Sequence, residues 1–209
     1  MNYVTLINQA FQFVIQTSQE YCIDESHALK HSMEVFNFAN NIYESEIKSY
    51  PHITDQREII GLAAIVHDMC DKKYMNEAEG LAEINAFLSC KITDAENAAI
   101  ASIITTMSYS KVKKDGFPDL GIYQRAYHVV READLLTAYD FDRCMIYHMK
   151  VNHGNFKDSF YKAAELFEHR VFRHADDNLF TTNYALTHYP PLHNQALERI
   201  KTWKKILHI

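Results

Sequence analysis

The stretch GLAAIVHDMCDKKY, residues 61–74, runs a series of small and branched apolar residues straight into His67 and Asp68, with Asp71, Lys72 and Lys73 close behind. An imidazole and a carboxylate at the end of such a segment are costly to bury unless something pairs with them. A bound metal ion is one such partner. Two other segments carry ionisable groups in apolar settings: His31, with His27 four residues before it, and Asp134, set among Ala133, Leu135 and Leu136. Two imidazoles and two carboxylates make a mixed nitrogen and oxygen donor set. Such a set suits Mn, Fe, Co, Ni, Zn or Mg better than a soft metal. Periodicity alone does not select these four from all the His and Asp of the chain, and His27 remains a rival to His31 on spacing.

The elements that must position these groups read as helices. Only five Gly and four Pro interrupt 209 residues, and no alternating strand pattern stands out. Residues 3–21 place Leu6, Ala10, Phe13 and Ile15 on a broad apolar face. A second helix is expected over 26–47, with a stripe of Met33, Phe36, Ala39 or Asn40, Tyr43 and Ile47, ended by Pro51. Thr54 or Asp55 is placed to cap a third helix through REIIGLAAIVHDM. Asn76 opens a fourth, and Thr93 with Glu96 forms a capping box for a fifth. SYSKVKKDGFPDLG is the most loop-like stretch. Helices resume in YQRAYHVVREADLLTAYD, DRCMIYHMKV and FKDSFYKAAELFEHRVFRHA, the last two separated near Gly154. A final helix follows, with Pro191 suited to its first turn. The expected fold is all-α, a multi-helix bundle in a single domain over residues 1–209.

Bulk properties bound the function. Apolar residues make up 47% of the chain, enough for a sizeable core. The formal net charge is −6 with no long basic run, which argues against neutralising nucleic-acid phosphates as the main task. Cys22, Cys70, Cys90 and Cys144 form no CxxC pair, so reduced thiols in a cytoplasmic protein are expected. The N-terminal residues show neither a basic leader nor a membrane span.

Three segments taken in order resemble the HD-domain metal-dependent phosphohydrolase superfamily. HSMEVFNFA is similar to that family's first-ligand helix, AAIVHDMCD to its apolar run into a His-Asp doublet, and READLLTA to its final-ligand segment. The match covers residues 24–140, which would form the metal-site core of an HD-domain bundle, with accessory helices over 141–209. The resemblance implies that His31, His67, Asp68 and Asp134 ligate one divalent metal ion. It implies hydrolysis of a phosphate ester or anhydride in a small molecule, most plausibly a nucleotide, by metal-activated water. No His lies between His67 and His128, so the dinuclear phosphodiesterase pattern is not evident. Dimers are common in the family. A regulatory module that binds metal or nucleotide without turnover is the alternative.

Within that expectation Asp68 both ligates the ion and orients the water. Asp71, at the offset where several members carry a catalytic acid, is a candidate general acid or base, or else a helix-end cap. Lys72, Arg131 and Lys111 are candidates to hold the phosphate, with Lys73, Lys113 and Lys114 nearby. His27 and His128 are candidates for pocket or packing roles.

Overall fold

The central helix of the protein is hidden on every side. In a computed structural model that describes residues 2–151 and 153–209, the run IIGLAAIV, residues 59–66, is buried throughout. This helix, α3 (Arg57–Val66), is packed against α1 (Tyr3–Glu20), α2 (Leu29–Glu46), α5 (Asp94–Thr106) and α7 (Gln124–Thr137). Its small residues allow that. A Cβ added at Gly61 would come within 2.7 Å of the Tyr3 hydroxyl, so the Tyr3 side chain would have to shift. The most extensive packing joins α2 to α7, and both also lie on α3. The three ligand-bearing segments therefore belong to three mutually packed helices.

The remaining helices are α4 (Glu77–Leu88), α6 (Tyr109–Asp115), α8 (Phe141–Val151), α9 (Phe156–His169) and α10 (Asn183–Leu207). Short 3-10 turns cover Pro51–Gln56, Gly121–Tyr123 and Val171–Arg173. No strand occurs among the described residues, and no helix is long and apolar enough to cross a membrane. Helices α8 and α9 form a hairpin knit by Phe141, whose ring centroid lies 5.7 Å from that of Phe160 and 5.1 Å from that of Phe167.

Several boundaries differ from the expected ones. Ser26 and His27 precede α2 because Asp24 Oδ1 accepts from Ser26 N at 2.9 Å, and Asp24 O accepts from the His27 and Ala28 amides. This local turn competes with the helix. Met33 and Ile15 point to solvent, while Val35 and Ile42 of α2 and Val14 of α1 take the core. Thr54 donates to Pro51 O within the 3-10 turn and caps no helix, as α3 begins at Arg57 without a side-chain cap. The loop-like stretch contains α6, which puts Lys111, Lys113 and Lys114 on a helix. The segment through 156–175 breaks at Arg170. Pro190 and Pro191 lie inside α10, well past its first turn. Each removes a helical donor. Both rings sit on the exposed face, where water can satisfy the freed carbonyls.

What fixes the start of α10 is one buried carboxylate. Glu132 of α7 accepts from the backbone N and Oγ1 of Thr181 (2.8 and 2.6 Å) and of Thr182 (3.0 and 2.8 Å). Thr182 in turn caps α10. Arg131 Nη2 donates to the same carboxylate at 2.9 Å. Glu132→Ala should therefore lower stability by about 3 kcal/mol or more in urea unfolding, because it leaves the buried Arg131 charge unpaired.

Two buried histidines add a pH term. His174 is fully buried, neither ring nitrogen has a partner among the described residues, and burial lowers its pKa from 6.5 to about 3, helped by Arg170. His128 is likewise lowered to about 4 by burial and by Arg131. Both rings stay neutral in the fold but protonate near pH 6.5 once the chain unfolds. The unfolded chain then binds more protons between pH about 6.5 and about 3, so stability is complete above that window and falls as pH drops through it. Unfolding free energies measured from pH 7 to pH 4 should decline, and His174→Phe should flatten the decline.

Candidate metal centre and cleft

Three helices deliver four donors to one point. His31 lies in the first turn of α2, His67 continues the helical path just past α3, and Asp134 comes from α7. His31 Nε2 is 3.1 Å from His67 Nε2, 3.2 Å from Asp68 Oδ2 and 3.4 Å from Asp134 Oδ1. His67 Nε2 is 3.4 Å from Asp68 Oδ2 and 3.7 Å from Asp134 Oδ1. Ligands around a small divalent ion, with bonds of about 2.1 Å, are separated by roughly 3 to 3.5 Å at right-angle and tetrahedral positions. His31, His67 and Asp134 thus form a group that can hold a metal ion.

Asp68 supplies an independent test of fit. Its Oδ2 is buried and faces His31 Nε2 at 3.2 Å and His67 Nε2 at 3.4 Å. A buried carboxylate is unfavourable unless it is fully paired, and a cation between it and the two imidazoles would complete that pairing. The local electrostatics agree. Burial opposes a charge on His67, yet Asp68 and Asp134 outweigh it and push the ring up to about 9. Burial raises both carboxylates, but the neighbouring imidazoles more than offset this and hold them well below the usual range. Two carboxylates held ionised beside two imidazoles are suited to hold a metal ion.

The hydrogen bonds assign the ring tautomers. His67 Nδ1 lies 2.9 Å from Ala64 O and donates to it, so Nε2 is the ring nitrogen that faces the centre. His31 Nδ1 instead accepts from Arg143 Nη1 at 2.8 Å, which places the His31 proton on Nε2, toward the carboxylates. A neutral imidazole has one lone pair, so an ion taken on Nε2 displaces both that proton and the Arg143 contact. Arg143 Nη1 also donates to Ser26 O at 3.1 Å and has that carbonyl to fall back on.

The centre sits where two chambers meet. One, of about 200 Å³, extends beneath the α8–α9 hairpin past Leu166, Phe167 and Val171. The other, of about 170 Å³, extends toward α4, α5 and α6 past Lys72, Lys111 and Met107. Asp68, Asp71, Lys73, Ser108, Asp134 and Arg170 line both. Lys72 and Lys111 are thus in the cleft, although Lys111 is held by Glu77 Oε1 at 2.6 Å and Thr105 O at 2.7 Å. Lys113 turns away to Asp177. Asp71 lies on the cleft wall, where it accepts from Lys73 N at 2.9 Å and pairs with Lys73 Nζ at 3.0 Å.

Arg131 does not fit a substrate-binding role. It is 1% exposed, lines neither chamber, and lies over Phe117 with its guanidinium carbon 4.7 Å from the ring centroid. The one-turn spacing from Asp134 proved insufficient because α7 is buried on nearly all faces. His128 packs in the same cluster, 5.0 Å from the Phe117 ring.

His27 lies beside the centre but outside the ligand group. Burial lowers its pKa to about 4, with Lys73, Arg143 and His31 adding to the effect against Asp68. It is neutral and links a chain of bonds. Its Nδ1 is 2.6 Å from Ser26 Oγ and 3.0 Å from the Tyr74 hydroxyl, both of which donate to Asp24. Its Nε2 accepts from Lys73 Nζ at 3.0 Å. Asp24, His27, Lys73 and Asp71 are thereby held in one network. Sequence reasoning overlooked Asp24, Arg143, Tyr147 and Arg170, because none lies in a ligand segment and only the folding of 141–173 over the centre brings three of them there.

Comparison with known proteins adds the fold. No family model and no curated protein matches the chain. Among solved structures, this fold is that of Bacillus subtilis YpgQ. The two share 21% identity over 98% of this chain and 97% of YpgQ, with a TM-score of 0.63. A second structure is of YpgQ in complex with ADP (20% identity, TM-score 0.64, 98% of this chain and 96% of that one). A Lactobacillus plantarum protein superposes with a TM-score of 0.71 at 19% identity, over 98% of this chain and 97% of its own.

The geometry of the centre is directly testable. Purified protein titrated with Co²⁺ should develop a visible ligand-field band and melt at a higher temperature. His67→Ala and Asp134→Ala should each remove both effects, and His27→Ala should retain them.

Proposed function

We propose that this chain is an HD-type metal-dependent phosphohydrolase acting on a small phosphorylated molecule, most plausibly a nucleotide. One observation carries the reading: a buried Asp68 oxygen faces two imidazoles and a second carboxylate, all at ligand-to-ligand spacing, where two chambers join. The order of the three ligand segments supports it, as does the presence of ADP in a structure of the same fold.

His31, His67, Asp68 and Asp134 would hold one divalent ion. Bound there, such an ion lowers the pKa of a water and takes up charge on a phosphoryl oxygen. The rest falls to the side chains. Asp71 stands on the wall shared by both chambers, with its carboxylate oriented by Lys73. In this reading it takes a proton from the attacking water or returns one to the leaving group at a carboxylate oxygen. His27 accepts from Lys73 and keeps that lysine beside Asp71. Lys72, exposed on the rim of the α6 chamber, is placed to meet a phosphate tail. The apolar wall of Leu166, Phe167 and Val171 excludes water from the other side of the centre.

Phosphate release from p-nitrophenyl phosphate and a nucleotide panel, with Mn²⁺, Co²⁺, Ni²⁺ or Mg²⁺ added, should show metal-dependent turnover. Asp71→Asn should keep Co²⁺ binding and lower kcat by about 10²-fold. Bound metal and bound ADP with no release from any substrate would replace the enzyme by a regulatory module.

A further inference from the structure

Among the described residues, Arg170 has no hydrogen-bonded or ion-paired side-chain partner. It stands at the break between α9 and the turn Val171–Arg173, with backbone angles of φ −131° and ψ −65° that end the helix. Its side chain lines both chambers, along with Asp68 and Asp134. Among the described residues its guanidinium makes no hydrogen bond and no ion pair, in contrast to Arg125, Arg143 and Arg199, each of which is bonded. What fixes it is the face of Tyr109, whose ring centroid lies 4.7 Å from the guanidinium carbon. Tyr109 is itself anchored by donating to Asp177 Oδ2 at 3.1 Å. Arg170 is half-buried, and burial depresses its pKa.

A half-buried guanidinium without a counter-ion, at the wall of a cleft, is placed to receive an anion. The carboxylates of the centre are not in ion-pair contact with it, and those carboxylates are committed to the imidazoles. Stacking on a tyrosine uses the face of a guanidinium and leaves its edge donors free for an anion. The edge geometry matches two oxygens of one phosphoryl group.

We infer that Arg170 binds the phosphoryl oxygens of the substrate at the junction of the two chambers, as the fixed cationic partner of the metal centre. The role that spacing suggested for Arg131 thus belongs to a residue from the accessory region. This inference rests on the phosphohydrolase reading for the identity of the anion, yet it is separable by experiment.

The test uses Co²⁺-loaded full-length protein, with ADP and inorganic phosphate as probes in isothermal titration calorimetry, followed by the phosphate-release assay. Arg170→Gln should weaken ADP binding by roughly 10- to 100-fold, the loss expected of a charge-assisted pair. It should raise KM by a similar factor while leaving the Co²⁺ band unchanged. Arg170→Lys keeps the charge without the fork and should fall between the two. It decides the matter if the Gln variant does not take up Co²⁺. Unchanged ADP affinity and KM in a variant with an intact Co²⁺ band would overturn the role of Arg170 while leaving the hydrolase reading in place. Loss of ADP binding in Arg170→Gln, with no turnover by the wild type, would uphold Arg170 as an anion site and remove the hydrolase.

Discussion

The constraint on which this structure turns is the confinement of Asp68 and Asp134 beside His31 and His67 at the inner ends of three packed helices. Carboxylates so placed are held ionised by the neighbouring imidazoles. Their paired negative charge favours a compact positive partner. It raises the pKa of His67 and so draws a proton to this point. The same group, His31, His67 and Asp134, could hold a metal ion there.

Such an arrangement needs a scaffold that resists the mutual repulsion of its acids. Helix α3 provides it through close packing of small residues, with Gly61 letting α1 approach and Ala63 and Ala64 lying fully buried. Helix α7 serves twice. Asp134 faces the centre, while Glu132, two residues earlier, receives four hydrogen bonds from Thr181 and Thr182 and so ties α10 to the ligand helix. The accessory helices are thus mechanically joined to the metal-site core. Through Arg143 and Arg170 they also provide cations that the core lacks at that point.

The two chambers divide the chemistry of the cleft. One wall is apolar and comes from α9 and the turn after it; the other is rich in lysines and comes from the segment after His67 and from α6. Many of those lysines are already engaged, Lys111 by Glu77, Lys73 by Asp71 and Lys113 by Asp177. Counting basic residues near a site therefore overstates its capacity for phosphate. Pairing, rather than proximity in the chain, decides which cations remain for a ligand.

The all-helical fold was legible because apolar periodicity and the scarcity of Gly and Pro are local properties, and so were the Asn76 cap and the Thr93–Glu96 capping box. His31, His67, Asp68 and Asp134 were legible as a set only through the resemblance of their three segments to the HD-domain pattern; ionisable groups in apolar segments drew attention to them but left His27 as a rival to His31. Errors arose where a local signal had a tertiary competitor. The prolines at 190 and 191 stay within α10 because its start is clamped by Glu132, and Ser26 and His27 leave α2 because Asp24 claims the intervening amides. Arg131 and Arg170 mark the limit most clearly. Both are arginines on helical segments, and nothing in composition or spacing ranks the second above the first. The chain by itself determined which helices form and which residues bear charge. Tertiary structure alone decided that Arg131 is enclosed beneath Phe117 and that Arg170 lines the cleft beside Asp68 and Asp134, since the surroundings of a helix face depend on what packs against it from far along the chain.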